Sequence, residues 1–306
     1  MPIHPHSFVA GALLVAVALA SPASADWRKD MKVLRIGIVA GGDAAYRLGT
    51  LEPFRVYIQD RVGLPVEIVP APSYDALIDA QARGDVGYAL YSATSYATAV
   101  LRCDCVEALA APIAADGALG FYSVLLARSN DEIASLADAK GKRVALGPAD
   151  SVSGRLVPLQ AFATDGIDPK SYFLSVATYP SPDAAVEALL DGEVDLAAAW
   201  SSLTGSAVQG YDFGALTHLV AEGRLDMRQV KIVWQSALIP FGPHAVRFDL
   251  PAELKAILSG ALLTMATTDP EALDAIDRLG YGGGGFATPD ESLYASVIAL
   301  VKSLGD

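Results

Sequence analysis

Short apolar runs alternate with longer stretches of helical periodicity along almost the whole chain. The run "LRIGIV" (34–39) reads as a strand, and "TLEPFRVYIQDRVG" (50–63) places Leu51, Phe54 and Ile58 on one helical face. "PVEIV" (65–69), a helix "YDALIDAQARGD" (74–85), a strand "VGYALY" (86–91) and a helix from Thr94 continue the rhythm. This βαβαβ order predicts a mostly parallel sheet with helices on both faces.

The same rhythm then repeats. "FYSVLLAR" (121–128) and "KRVALG" (142–147) read as strands, followed by a helix "VSGRLVPLQAFATDG" closed by Gly166. The strands "YFLSVATY" (172–179) and "VDLAAAW" (194–200) flank the helix "SPDAAVEALLDG" (181–192), and "KIVWQSALIP" (231–240) is again strand-like. The C-terminal part is helical, with a break at Asp269-Pro270. Two α/β units with a helical tail predict a hinged clamp. In open α/β sheets ligands sit beyond the carboxyl ends of the strands. The turns to watch are therefore "AGGDAAYRLGT", "YSATSY", "GPADSVSG" and "AWSSLTG", all rich in hydroxyls, glycine or aromatics.

One of these turns carries the sharpest signal. In "GPADSVSGRLVP" (147–158), two serines, a glycine and an arginine stand where a strand hands over to a helix. Ser151 or Ser153 suits the N-cap position, and capping alone accounts for a serine there. Free amides, the helix dipole, two hydroxyls and a bare glycine together also suit an oxyanion.

Composition narrows the field. Residues 1–25 read as a secretion signal: "SFVAGALLVAVALA" is too short for a membrane span, and "ASA" at Ala23 to Ala25 suits cleavage before Asp26. The n-region is off pattern, with His4 and His6 but no Lys or Arg. A soluble, exported chain is expected. The formal charge of −13 argues against nucleic acid or anionic lipid as partner, though a pocket of local amides can still take a small anion.

These stretches resemble a known family, the periplasmic substrate-binding proteins of phosphate/phosphite/phosphonate ABC transporters. The likeness runs over nearly all of residues 32 to 305. It is most telling in "DSVSGRLVPLQAFATDGIDP", "SPDAAVEALLDGEVDLAAAW" and "WQSALIPFGPHAVRFDLPAELK". In that family a Ser-Thr-Ser-Gly turn binds the phosphorus oxyanion, and Ser151, Ser153 and Gly154 match it. Val152 replaces the threonine and Arg155 stands where an aromatic is common. Tyr46 matches a first-lobe tyrosine position loosely, "YSATSY" offers Ser92, Thr94 and Ser95, and Trp200 ends a strand beside Ser201. The implied fold is α/β and two-lobed, a periplasmic binding protein fold with two crossover strands and a hinged cleft. Residues 26–115 with 230–306 are expected in one lobe and 116–229 in the other. The crossings are expected near Ala110 to Gly120 and near Asp226 to Ser236. The implied function is capture of a small oxyanion for an ABC permease in the inner membrane, by a monomer. The alternative is an oxyanion sensor, for arsenite as one example, signalling to a membrane histidine kinase.

Enzymatic roles fare worse. Only His218 and His244 lie beyond the signal; His218 is expected beside a strand and His244 in a Gly-Pro loop. No histidine pair has metal-ligand spacing, no "GxSxG" turn appears, and "GYGGGG" (280–285) follows a helix rather than a strand. Asp183, Glu187 and Asp195 read as solvated faces and turns. No catalytic group, metal or cofactor is expected. The two cysteines, Cys103 and Cys105, leave three readings open: a disulfide, buried thiols, or a soft-ligand pair of the kind arsenite sensors in this family imply. In an extended segment their Cα atoms would lie roughly 6.5–7 Å apart, at the edge of disulfide range.

Overall fold

The structure, a computed structural model, describes residues 27–40, 44–149, 151–277, 283–290 and 292–305. Two compact units divide the chain, 1–32 and 33–306. Of the first, the described part is one helical turn, α1 (Trp27–Asp30), with its flanking residues. The expected leader, 1–25, lies outside the described residues.

The second unit holds two mixed sheets. The first is built from β1 (Leu34–Val39), β2 (Val66–Ala71), β3 (Tyr88–Leu90), β4 (Val106–Pro112), β11 (His244–Arg247) and β12 (Phe286–Ala287), in the order β12-β4-β11-β3-β1-β2. The second holds β5 (Gly120–Arg128), β6 (Arg143–Leu146), β7 (Ser175–Thr178), β8 (Leu196–Ser201), β9 (Val230–Gln235) and β10 (Ile239–Pro240). Its order is β10-β5-β8-β6-β7, with β9 also on β5. β1 runs parallel to β2 and β3, and β6 parallel to β7 and β8, so the repeated βα rhythm does give two parallel cores.

Helices cover these sheets, at 52–62, 74–83, 93–103, 157–164 and 182–190 where the periodicity predicts them and at 44–50, 169–172 and 215–221 where it does not. The first unit of the rhythm carries α2 (Ala44–Thr50), α3 (Glu52–Val62), α4 (Tyr74–Arg83) and α5 (Ala93–Cys103). α3 buries Phe54, Tyr57, Ile58 and Val62 and ends at Gly63, whose positive φ stops the helix. α4 begins at a Ser73 cap and presses on β1 where Gly37 leaves room: a Cβ there would lie 2.4 Å from Leu77 Cδ1. The second repeat carries α6 (Val157–Thr164), α7 (Pro169–Tyr172), α8 (Pro182–Leu190) and α9 (Ala215–Ala221). α10 (Ala252–Thr268) stops at the expected break, where Asp269 caps α11 (Pro270–Ile276) by accepting from the Ala272 amide at 3.0 Å. The chain closes with α12 (Ala295–Gly305).

The chain passes between sheets twice. The first passage, 113–119, falls where the sequence places it. The second lies at 241–243, C-terminal to the expected 226–236, because β9 and β10 both hydrogen-bond to β5 before β11 joins the other sheet. Three side chains also differ from expectation. His218 sits on α9 rather than beside a strand. His244 opens β11, buried, with Nδ1 2.5 Å from Tyr88 Oη, rather than lying in a loop. Asp195 is no solvated turn residue: Arg143 and Arg128 both donate to it, and its side chain is 18% exposed.

Candidate anion-binding cleft

Two helix N-termini, one from each sheet, are built alike. On the first sheet, β3 ends at Leu90 and Ser92 caps α5, its Oγ accepting the Ser95 amide at 3.1 Å. Thr94 Oγ1 lies 3.2 Å from the same oxygen, and the Ser95 hydroxyl shares a hydrogen bond with it. The amides of Ala93 and Thr94 precede Tyr96, the first amide to donate into the helix ladder, to the Ser92 carbonyl at 2.9 Å, so they are not taken up by it.

On the second sheet, β6 ends at Leu146 and the chain turns through Val152–Leu156 as a π-helical turn before α6. The Ser151 carbonyl accepts from both Arg155 and Leu156, at 3.1 and 2.9 Å, and Ser151 Oγ accepts the Gly154 amide at 3.1 Å. Such wide turns interrupt helices mainly at functional sites. Gly154 is required by close approach, since a Cβ there would lie 2.7 Å from Ser151 Oγ and 3.3 Å from Gly147 Cα. The buried Ser123 hydroxyl of β5 donates to the Ser153 carbonyl at 2.6 Å and holds the turn from below. Ser151, having accepted one amide, keeps its hydroxyl proton to donate.

A cavity of about 380 Å³ joins the two termini. Ser92 and Thr94 line it from one side and Val152 from the other. Phe121, Ile239, Phe241, Gly242 and Phe286 wall it along the two passages between sheets, and Tyr74, Tyr91, His244 and Asp277 add polar groups. Among these lining residues none is Lys or Arg. Burial pushes the Tyr91 phenol well up, so it stays protonated as a donor, and its hydroxyl has no hydrogen-bond partner among the described residues.

The other sequence candidates stand at varying distance from this cavity. Ser151, Ser153 and Gly154 belong to the Val152 turn without lining the wall. Arg155 donates from Nη1 to the Gly147 carbonyl at 3.2 Å and to Thr178 Oγ1 at 3.0 Å, fastening the turn to the ends of β6 and β7. Ser95 is buried behind Ser92. Trp200 is one ring removed, edge-on to Phe121 at 5.2 Å. Tyr46 is 73% exposed on α2. The cavity's aromatics, His244 and Asp277 escaped sequence reasoning. Their nearest signal was the position of Phe241 and His244 in "IPFGPHAV", where a strand run meets Gly-Pro.

Two further features resolve open readings. Cys103 and Cys105 form a disulfide, with Cα atoms 5.1 Å apart rather than the extended 6.5–7 Å. Asp104 adopts a left-handed conformation (φ 44°) and folds the two residues together at the end of α5. This removes the thiol pair as a soft-ligand site. In "GYGGGG", residues 280–282 lie outside the described residues. Gly284 packs backbone to backbone on the first passage, a Cβ there meeting the Ala114 carbonyl at 2.1 Å, and the Gly285 carbonyl accepts from Ile113. Away from the cleft, Asp183, His218 and Glu222 cluster on the surface, where Arg224 supplies their counter-charge, 2.6 Å from Glu222.

Comparison with known proteins decides the family. The profile of the periplasmic substrate-binding proteins of phosphonate ABC transporters matches residues 42–294. The chain belongs to this family. A phosphonates-binding periplasmic protein of Escherichia coli is 28% identical over 268 residues, covering 86% of this chain and 74% of the relative. A phosphate-import protein of Mycolicibacterium smegmatis is 23% identical over 269 residues, 83% of this chain and 80% of its own. Solved structures carry the same two-lobed fold. A Xanthomonas citri protein bound to ATP superposes with a TM-score of 0.65 at 21% identity, over 90% of this chain and 99% of that one. A Prochlorococcus marinus protein in complex with methylphosphonate gives 0.54 at 18% identity, over 90% and 98%. A phosphonate-transporter binding component of Pseudomonas aeruginosa gives 0.52 at 25% identity, over 89% and 86%. The sensor alternative finds no support in these comparisons.

Proposed function

We propose that this chain is the exported receptor of an ABC importer, and that its cleft holds a phosphorus oxyanion between the N-termini of α5 and α6. The observation that carries this reading is the convergence of Ser92 and Thr94, from one sheet, and Val152, from the other, on a single cavity. The relatives' ligands point the same way: phosphonates, phosphate, methylphosphonate and ATP share one group, phosphorus bearing anionic oxygens. Ser92 and Thr94 donate from the cavity wall; Ser151 and Ser153, set back from that wall in this arrangement, donate once the lobes close on ligand, and Arg155 holds the second turn in shape. Each hydrogen bond to a charged group is worth roughly 1.5–3 kcal/mol net, so a few suffice for micromolar affinity. No residue in the cleft is assigned a catalytic role.

In this reading 33–112 with 244–305 form one lobe and 120–240 the other, and the passages at 113–119 and 241–243 are the hinge. Ligand favours the closed arrangement by touching both lobes at once. Residues 1–25 direct the chain to the periplasm, where, as a monomer, it presents ligand to an inner-membrane permease. Calorimetry of the purified protein against phosphate, phosphite and methylphosphonate tests the core of this. Saturable heat with at least one is expected; none at millimolar concentration overturns it.

A further inference from the structure

The geometry points to a narrower ligand class: phosphonates whose carbon substituent is apolar, uncharged and several carbons long or aromatic. This rests on the oxyanion reading above and deepens it. Ser92 and Thr94 line a cavity whose wall is mostly hydrocarbon, with Tyr74, Tyr91, His244 and Asp277 as its other polar side chains. Leu90, Phe121, Ile239, Phe241 and Phe286 supply the hydrocarbon, with Val152 facing in from the turn itself. Leu90, Ile239, Phe241 and Phe286 are all at least nine-tenths buried, so they form a fixed wall rather than a mobile fringe.

Size supports the same conclusion. An apolar cavity of about 150 Å³ already accommodates a benzene ring. At about 380 Å³ this open cleft has room for more than a bare tetrahedral oxyanion. Phosphate held at the hydroxyl end would leave the aromatic end unfilled by ligand. An aminoalkyl group would bring a cation against hydrocarbon, where desolvation penalises it. The lone carboxylate among the lining residues, Asp277, is the only group there of opposite charge. Val152 is the specificity element. It stands in the oxyanion turn and offers two methyl groups where an isosteric threonine would offer a hydroxyl, so it ties the oxyanion end to the apolar end.

The test is a calorimetric series on the wild-type protein with phosphate, methylphosphonate, n-butylphosphonate, phenylphosphonate and 2-aminoethylphosphonate. Each methylene buried should tighten binding about fourfold. n-Butylphosphonate should therefore bind at least tenfold tighter than methylphosphonate, with phenylphosphonate comparable to it and 2-aminoethylphosphonate weaker than both. Val152→Thr should narrow the butyl-to-methyl ratio and raise phosphate affinity. Equal affinity for methyl and butyl, or a preference for the aminoethyl ligand, overturns the apolar assignment while leaving the oxyanion site standing. Absence of binding by every compound overturns the oxyanion reading itself.

Discussion

Replacing Ser151 by aspartate separates helix capping, which its hydrogen bond shows, from the anion binding proposed for it. Ser151 Oγ accepts the Gly154 amide at 3.1 Å, and an aspartate oxygen accepts it equally well. The new carboxylate also lies at the positive end of a helix, which favours it by about 0.3–1 kcal/mol. Folding stability should therefore hold or rise slightly. Binding should collapse. A fixed negative charge roughly 5 Å from a ligand anion costs on the order of 3 kcal/mol per ligand charge at an effective dielectric constant of 20, and the serine's own donated bond is lost as well. The combined effect exceeds a hundredfold in Kd. Ser92→Asp repeats the experiment on the other lobe, where Ser92 Oγ accepts the Ser95 amide at 3.1 Å. Thermal unfolding reads the first quantity and calorimetry with methylphosphonate the second. If either variant keeps its Tm and also binds within threefold of wild type, that serine is only a cap and the clamp geometry is wrong.

Two further predictions concern the frame around the cleft. Gly242 lies in the second passage, where a Cβ would fall 1.9 Å from the Tyr91 carbonyl and 2.6 Å from Ser92 Cα. Gly242→Ala must push that backbone aside, so chemical denaturation should show a loss of about 1–3 kcal/mol and calorimetry weaker binding, because the displaced atoms carry the α5 cap. The Asp195 carboxyl is held down at about 2, chiefly by the Arg143 hydrogen bond working against desolvation, with Arg128 adding to it. Its folded pKa lies below its unfolded value near 3.9. The bond therefore contributes its full share above about pH 4, about 2 kcal/mol, and loses it as pH falls toward 2. Comparing Tm of wild type and Asp195→Asn across this window should show the gap between them closing with acid; a constant gap would mean the carboxylate's charge contributes nothing.

The repeated strand–helix alternation was legible because each element carries its own period. Leu34, Ile36 and Ile38 fall on one buried strand face, and Phe54 and Ile58 on one buried helix face, whatever surrounds them. Sheet membership was not legible. "KIVWQ" looks the same whether it pairs with β5 or with β3, and only the tertiary hydrogen bonds to β5 moved the second passage to 241–243. The serine turn at 151–154 could be read because its chemistry is contiguous. The aromatic wall could not, since Phe121, Phe241 and Phe286 are far apart in sequence and line one cavity only once the two passages lie side by side. A local backbone state hid the cysteines' pairing: spacing alone implied an extended Cys-Asp-Cys, and a single left-handed residue at Asp104 reverses that inference.

No Lys or Arg is among the described residues lining the cavity, so in the proposed reading a chain of formal charge −13 takes up an anion through neutral donors. At physiological ionic strength the Debye length is about 8 Å, so surface carboxylates beyond that range contribute little inside the cleft. Two helix N-termini together supply a positive end of about one elementary charge, and they do so through amides and hydroxyls that cannot be neutralised by titration. Directed donors of this kind select by geometry as well as by charge. A ligand that left one of these donors buried and unpaired would lose about 1–3 kcal/mol. A guanidinium or ammonium at the same place would attract every small anion in the compartment. Neutral donors at one end and hydrocarbon at the other instead require a ligand with an anionic head and an apolar body. In the proposed reading that requirement, more than net charge, decides what the cleft holds.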